Sequence, residues 1–292
     1  MPDLFEGLVD DAAMYPPGSA PLAEAVKQHR RHRAAWYANL VGPLLVPASA
    51  VAELAELLEP GETLTAAVLA DTGFEGLRTV VRRLSERPGP GPGSPAGWLS
   101  VCHVELAVAK RGEDPQPGLA ALLDLVRATP ELSGYAEIPL TWGLLAALDT
   151  LAEANAEGLA VKPKFRTGGL AAELFPTPIE LAAVICACRD RNLSFKLTAG
   201  LHHAIRHTDP ETGFVHHGFL NILMATAQAV GVGDAGPAEV AEVATTLANT
   251  DPVPLIEATR RLLPEHRPLW VAFGSCSIAE PLDDLSRLGL LG

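Results

Sequence analysis

Short apolar runs rich in β-branched and aromatic residues alternate with longer stretches of helical period along almost the whole chain. Eight runs read as strands: around Phe5–Val9, Leu44–Pro47, Leu64–Ala70, Leu99–Leu106, Tyr135–Ile138, Leu159–Lys164, Ser194–Thr198 and Trp270–Gly274. Helical patterns follow most of them, over Ala23–Asn39, Glu75–Glu86, Leu119–Ala128, Leu144–Ala156 and Ile179–Arg191. The last opens with Thr177 as N-cap, Pro178 in the first turn and Glu180 as a capping-box acid. Eight such units in 292 residues predict an α/β fold, a single (β/α)8 TIM barrel spanning 1–292. An open doubly wound sheet is the competing arrangement, but no Gly-rich dinucleotide fingerprint follows the first strand. The second unit is short, since Val51–Leu58 has room for only about two helical turns. The seventh is long, with several helices between Gly218 and Leu263. Residues 87–97, RPGPGPGSPAG, read as a flexible loop at the barrel's non-catalytic end.

Composition narrows the classes of partner. A hydrophobic fraction of 48% supports a sizeable core. A net charge of −13 argues against nucleic acid or an anionic membrane, because both call for a basic surface. The N-terminal MPDLFEGLVDD carries acids where a secretion signal has basic residues, and no apolar run reaches membrane-spanning length. Four scattered cysteines do not make a disulfide scaffold. These features lead to the expectation of a cytoplasmic protein that meets a small molecule. Whether barrels pair through their outer helices stays open.

Five lysines occur in the chain, and three of them, Lys162, Lys164 and Lys196, sit on runs that otherwise read as buried strands. Moving an ammonium out of water is costly unless it is paired or neutral. In LAVKPKFRTGG, Lys162, Lys164 and Arg166 alternate with Val161, Pro163 and Phe165; in LSFKLTAGLHH, Lys196 and Thr198 alternate with Phe195, Leu197 and Ala199. Strand side chains alternate faces, so each run predicts one apolar face and one cationic face directed into the barrel. An amine attacks a carbonyl only when unprotonated, and neighbouring cations depress its pKa. Lys164, beside Arg166 and Lys196 and nearer the strand end, is therefore the expected nucleophile, with Lys162 on the same face as the other candidate. A buried ion-pair lattice with Glu105 and Glu137 is the structural alternative.

Barrel function gathers where strands run into the following loops. Those positions hold Asp10, Asp11, Ser49, Asp71, Glu105, Glu137, Lys164, Arg166, Lys196 and Gly274 to Ser277. Strand-end acids commonly cap the next helix, which suits Asp71. It suits Glu105 less well, because His103 and Glu105 share one face of an apolar strand. Backbone N–H groups at Gly168, Gly169, Gly200, Gly274 and Ser275, together with Arg166, are the expected anion site, although ordinary turns also use such glycines.

Lys164-Phe-Arg-Thr167-Gly168 resembles the Lys-x-x-Thr-Gly of the deoxyribose-phosphate aldolase family, whose lysine forms a Schiff base. Lys196-Leu-Thr-Ala-Gly200 is similar to that family's second lysine strand, and Thr177-Pro-Ile-Glu180 to its Ala-Thr-Pro-Glu helix start. Phe273-Gly274-Ser275 resembles its phosphate turn, Leu8-Val9-Asp10-Asp11 its opening strand and Ala136-Glu137-Ile138 its fifth. The likeness is strongest from Leu159 to Leu201 and elsewhere is one of order and spacing. It implies a barrel lyase with no cofactor and no metal, acting on an anionic, phosphorylated or carboxylated, carbonyl compound. Lys164 would be the imine-forming residue, Lys196 would lower its pKa, and Glu105 would carry protons.

Two alternatives stay open: a divalent cation held by Asp10, Glu105 and Glu137, with His202 or His203 as a further ligand, that stabilises an enolate, and a non-catalytic ligand-binding barrel with structural lysines. Five of the nine histidines fall between His202 and His217. That segment, 202–217, lacks an apolar period and is expected to be a loop-like lid over the mouth.

Overall fold

The computed structural model describes residues 1–86, 97–232 and 236–291. Eight parallel strands close into a barrel: β1 (Val9–Asp11), β2 (Val41–Pro47), β3 (Thr63–Leu69), β4 (Trp98–Ala107), β5 (Ser133–Glu137), β6 (Val161–Arg166), β7 (Phe195–Thr198) and β10 (Trp270–Ser275), which pairs with both β7 and β1. The two intervening short strands, β8 (His207–Thr208) and β9 (Val215–His216), form an antiparallel hairpin outside the barrel. The fold is the expected TIM barrel.

The outer layer is α1 (Leu22–Arg33), α2 (Val51–Glu56), α3 (Gly73–Ser85), α4 (Gln116–Ala128), α5 (Leu144–Ala156), α6 (Pro178–Asp190), α7 (Phe219–Val230), α8 (Val240–Ala248), α9 (Pro252–Leu262) and α10 (Ala279–Arg287). The capping box of α6 forms as the sequence suggests, with Glu180 N–H donating to the Thr177 hydroxyl and Thr177 N–H donating to the Glu180 carboxylate. Outward strand residues such as Val104, Leu106, Phe165, Phe195 and Leu197 join the helices in one apolar core. A second, smaller cluster of Ala12, Leu45 and Ala67, with Tyr15 and Leu69 against it, fills part of the barrel interior. Among the described residues no helix is long and apolar enough to cross a membrane.

Four expectations need correction. The first strand starts at Val9, because Asp3–Phe5 turn as a 3-10 helix that buries Leu4 and Phe5. The first helix stops at Arg33, after a run of basic residues in its last turn, and the chain turns again over Ala38–Leu40. The sixth strand runs on to Arg166, so Lys162, Lys164 and Arg166 all lie within it. Within the segment 202–217 the hairpin β8–β9 replaces the expected irregular loop. The flexible loop proposed at residues 87–97 lies, up to residue 96, outside the described residues.

Candidate active site

Alternation along β4, β6 and β7 brings Glu105, Lys164 and Lys196 together inside the barrel. Lys164 and Lys196 are register partners on adjacent strands, and both are essentially buried. Each donates to a different oxygen of Glu105, Lys164 Nζ to Oε2 and Lys196 Nζ to Oε1, both at 2.5 Å. Lys196 also donates to Asp10 on β1, and Lys164 Nζ lies 2.9 Å from Glu137 Oε2 on β5. Arg166 binds the other oxygen of Glu137 at 3.0 Å from its Nη2. The result is a chain of alternating charge, Asp10–Lys196–Glu105–Lys164–Glu137–Arg166.

This geometry corrects one step of the sequence argument. Burial favours the neutral amine of Lys164, but the carboxylates of Glu105 and Glu137 outweigh both that and the repulsion from Lys196, so its pKa is raised. Lys196 is raised in the same way by Asp10 and Glu105 against the effect of burial. Glu105 is the reciprocal case. Burial would raise it, but Lys164, Lys196 and His103 hold it well below the usual carboxylate range. Lys196 acts on Lys164 in the predicted direction, and the acids win. At rest the nucleophile candidate is an ammonium.

The remaining interior groups support this cluster. His103 Nε2 lies 3.0 Å from Glu105 Oε1, and its ring meets Tyr135 edge-on at 4.7 Å between centroids. Tyr135, which entered the sequence argument only as the start of a strand, turns its ring toward Lys196, whose Nζ is 5.4 Å from the centroid. Its place opposite Glu105 and beneath the lysines follows from strand register, which the sequence did not disclose. Gly42 is needed beside Asp10, since a Cβ there would fall 1.9 Å from Asp10 Oδ1. Tyr15, also missed, has a buried hydroxyl without a hydrogen-bond partner among the described residues. Asp11 faces outward, where its carboxylate lies 3.0 Å from His29 Nδ1, and Asp71 accepts from Ser49 at the rim.

Thr167 explains the Thr-Gly that follows Lys164. Its hydroxyl donates to Ala199 O at 2.7 Å and its N–H to Thr198 O at 2.9 Å, so it ties the end of β6 to the end of β7. Gly168 and Gly200 then press backbone to backbone: a Cβ on Gly168 would lie 2.7 Å from Gly200 Cα. Ala199 and Gly200 both take positive φ, +65° and +74°, and the alanine carries the strain of that conformation.

The proposed anion set does not line one cavity. A cavity of about 280 Å³ opens between the loops after β4, β5 and β6, lined by Lys110, Arg111, Glu137, Leu140, Arg166 and Leu174 among others, and by none of the glycines. The space at Gly169 is taken by Leu174, Gly274 lies against Leu45, and Ser275 donates its hydroxyl to Ser277 O. Small residues at these turns serve close packing; Arg166 alone of the set reaches the cavity. Lys110 and Arg111, which line it too, were not singled out from the sequence because isolated surface cations carry no pattern.

The histidine segment folds over the exits of β6 and β7. His216 meets Gly200 O at 3.0 Å, His217 meets Pro176 O at 2.8 Å, and Phe175 packs on Phe214 and His216. His202 and His203, candidates for a metal, are engaged instead by Glu280 and Asp284 of α10. Asp10, His103 and Glu105 do bring three ligand-type atoms within 4.8 Å of one another. Lys196 already bridges the two acids of that group. Asp10, Glu105 and Glu137 are matched in number by Lys164, Lys196 and Arg166, so a divalent cation would add unbalanced charge.

Fold and site define a TIM barrel with two buried lysines joined through one glutamate near its C-terminal mouth. No protein-family model and no curated protein matches the chain.

Proposed function

We propose that this barrel is an aldolase-like lyase that binds a small anionic carbonyl compound and forms a Schiff base with it through Lys164. The observation that carries the reading is the pairing of buried Lys164 with two carboxylates, Glu105 at 2.5 Å and Glu137 at 2.9 Å, the second of which lines the cavity. An imine-forming lysine has to lose a proton and later regain one, and each carboxylate is within reach to take it.

Arg166 supplies a trigger. A substrate anion in the cavity draws the guanidinium from Glu137, which then becomes the better base for the Lys164 proton. The freed amine attacks the carbonyl, water leaves, and the imine accepts electrons from the bond that breaks. Glu105, held by Lys196 and His103, returns protons to the substrate. The Thr167 clamp and the resemblance of Lys164-Phe-Arg-Thr167-Gly168 to the deoxyribose-phosphate aldolases support the same assignment. The decisive experiment is borohydride reduction in the presence of a panel of phosphorylated and carboxylated aldehydes and ketones, with the adduct located by mass spectrometry. Labelling of Lys164 is expected. Its absence across the panel leaves the lysines as a structural ion lattice.

A further inference from the structure

Lys162 lacks the pairing of the other two interior lysines. It shares the inward face of β6 with Lys164 and lies two residues nearer the barrel's N-terminal end. Lys164 and Lys196 each touch two carboxylates, whereas among the described residues Lys162 has no carboxylate and no hydrogen-bond acceptor. Its Nζ sits 5.8 Å from the centroid of the Tyr135 ring, and the residue is half-buried. The flat face of a phenol stabilises an ammonium far less than a carboxylate does. Burial accordingly lowers the pKa of Lys162.

Among the described residues, the N-terminal end of the barrel carries exposed positions on β3. Thr63 and Thr65 share the face of β3 that carries Ala67 into the interior cluster, yet both are exposed. Cys102 on the neighbouring strand is exposed as well, with its thiol donating to Ala66 O at 3.3 Å. A cavity of about 350 Å³ lies between α1 and the β2–β3 side of this end, lined by Gly42, Thr63 and Thr65 and not by Lys162. Lys162 is itself partly exposed near this end of β6, so a small solute can meet it without passing the C-terminal mouth.

We propose that Lys162 is a second carbonyl-reactive amine of the barrel, reached from its N-terminal end by small aldehydes and forming an imine there without Lys164. The Nζ lone pair forms the carbon–nitrogen bond, and the two amine hydrogens leave with the carbonyl oxygen as water. This site does not rest on the activity proposed for Lys164. Lys162 follows from the absence of a counter-ion, Lys164 from the presence of two.

The test treats the full chain with acetaldehyde and cyanoborohydride at pH 7 and maps adducts by mass spectrometry. Hydride adds to the imine carbon and solvent protonates the nitrogen, which leaves a stable secondary amine. Lys162 is expected to label several-fold faster than the surface residues Lys27 and Lys110, since burial lowers its pKa and leaves more free amine at pH 7. The ratio should fall toward one near pH 10. Thr65→Trp narrows the entrance and should suppress labelling of Lys162 while leaving Lys164 unchanged; Thr63→Trp, at an equally exposed position, replaces it if the first variant does not fold. Labelling of Lys162 no faster than Lys27 and Lys110 overturns the proposal, as does labelling indifferent to both folded tryptophan variants. Adducts on Lys164 alone would remove this site and keep the proposed activity, and adducts on Lys162 alone would do the reverse.

Discussion

Arg166 grips a single oxygen of Glu137 with two donors, Nε at 3.1 Å and Nη2 at 3.0 Å, while Lys164 holds the other oxygen. The guanidinium is partly exposed and the lysine is not, so the outer half of this arrangement is the half a solute can reach. Sulfate or phosphate that takes Arg166 from Glu137 is expected to raise the thermal midpoint of the wild-type protein. Arg166→Ala should abolish that protection and slow trapping of Lys164 by anionic aldehydes more than by neutral ones. Equal protection of the variant, measured by differential scanning fluorimetry, would remove the anion role of Arg166.

Lys196 is buried between Asp10 and Glu105. Lys196→Met leaves Asp10 without its cation and Glu105 with Lys164 alone, and should cost about 3–5 kcal/mol in denaturant unfolding. Adding Asp10→Asn should recover part of that loss, because the one carboxylate left without a cation is gone. Glu105 also sets an acid limit. Its pKa is depressed in the folded state, so its stabilising contribution is complete above the unfolded value of about 4.3 and is lost as pH falls through the lower folded one. Lys196→Met should move the acid-unfolding midpoint upward.

The contact between Gly168 and Gly200 admits no Cβ. Gly168→Ala would bring a methyl to 2.7 Å from Gly200 Cα, and both partners are backbone that cannot rotate away. A loss of about 1–3 kcal/mol is expected, as for overpacked interiors. The neighbouring Lys164 should then lose trapping rate through displacement of the Thr167 clamp. Gly213→Ala is a control, since that glycine has open space around it and tests only its positive φ.

The histidine hairpin should loosen in mild acid. His217 Nε2 donates to Pro176 O and Nδ1 accepts from Arg206, so the neutral ring uses both nitrogens. Burial pushes its pKa from 6.5 down to about 4. The folded value is depressed, so the contribution of the neutral ring is present above 6.5 and is lost as pH falls toward about 4. Limited proteolysis within residues 209–213 should accelerate across that window, and His217→Gln should flatten the response. A cleavage rate independent of pH between 7 and 4 would count against this assignment.

Much of the architecture is local in origin. Two-residue alternation decides which side chains of β4, β6 and β7 face inward, so His103, Glu105, Lys162, Lys164 and Lys196 could be placed on interior faces from their order alone. The capping box at Thr177 and Glu180 likewise needs only a few neighbouring residues. Pairing is another matter. Glu105 meets Lys164 across 59 positions and Lys196 across 91, and Lys196 meets Asp10 across 186. Barrel closure and strand register set those distances, and a shift in register would have exchanged the partners. A chain read residue by residue shows a row of cations; only closure brings the acids that raise Lys164 and Lys196 and leaves Lys162 without one, because Coulombic pairing depends on separation in space.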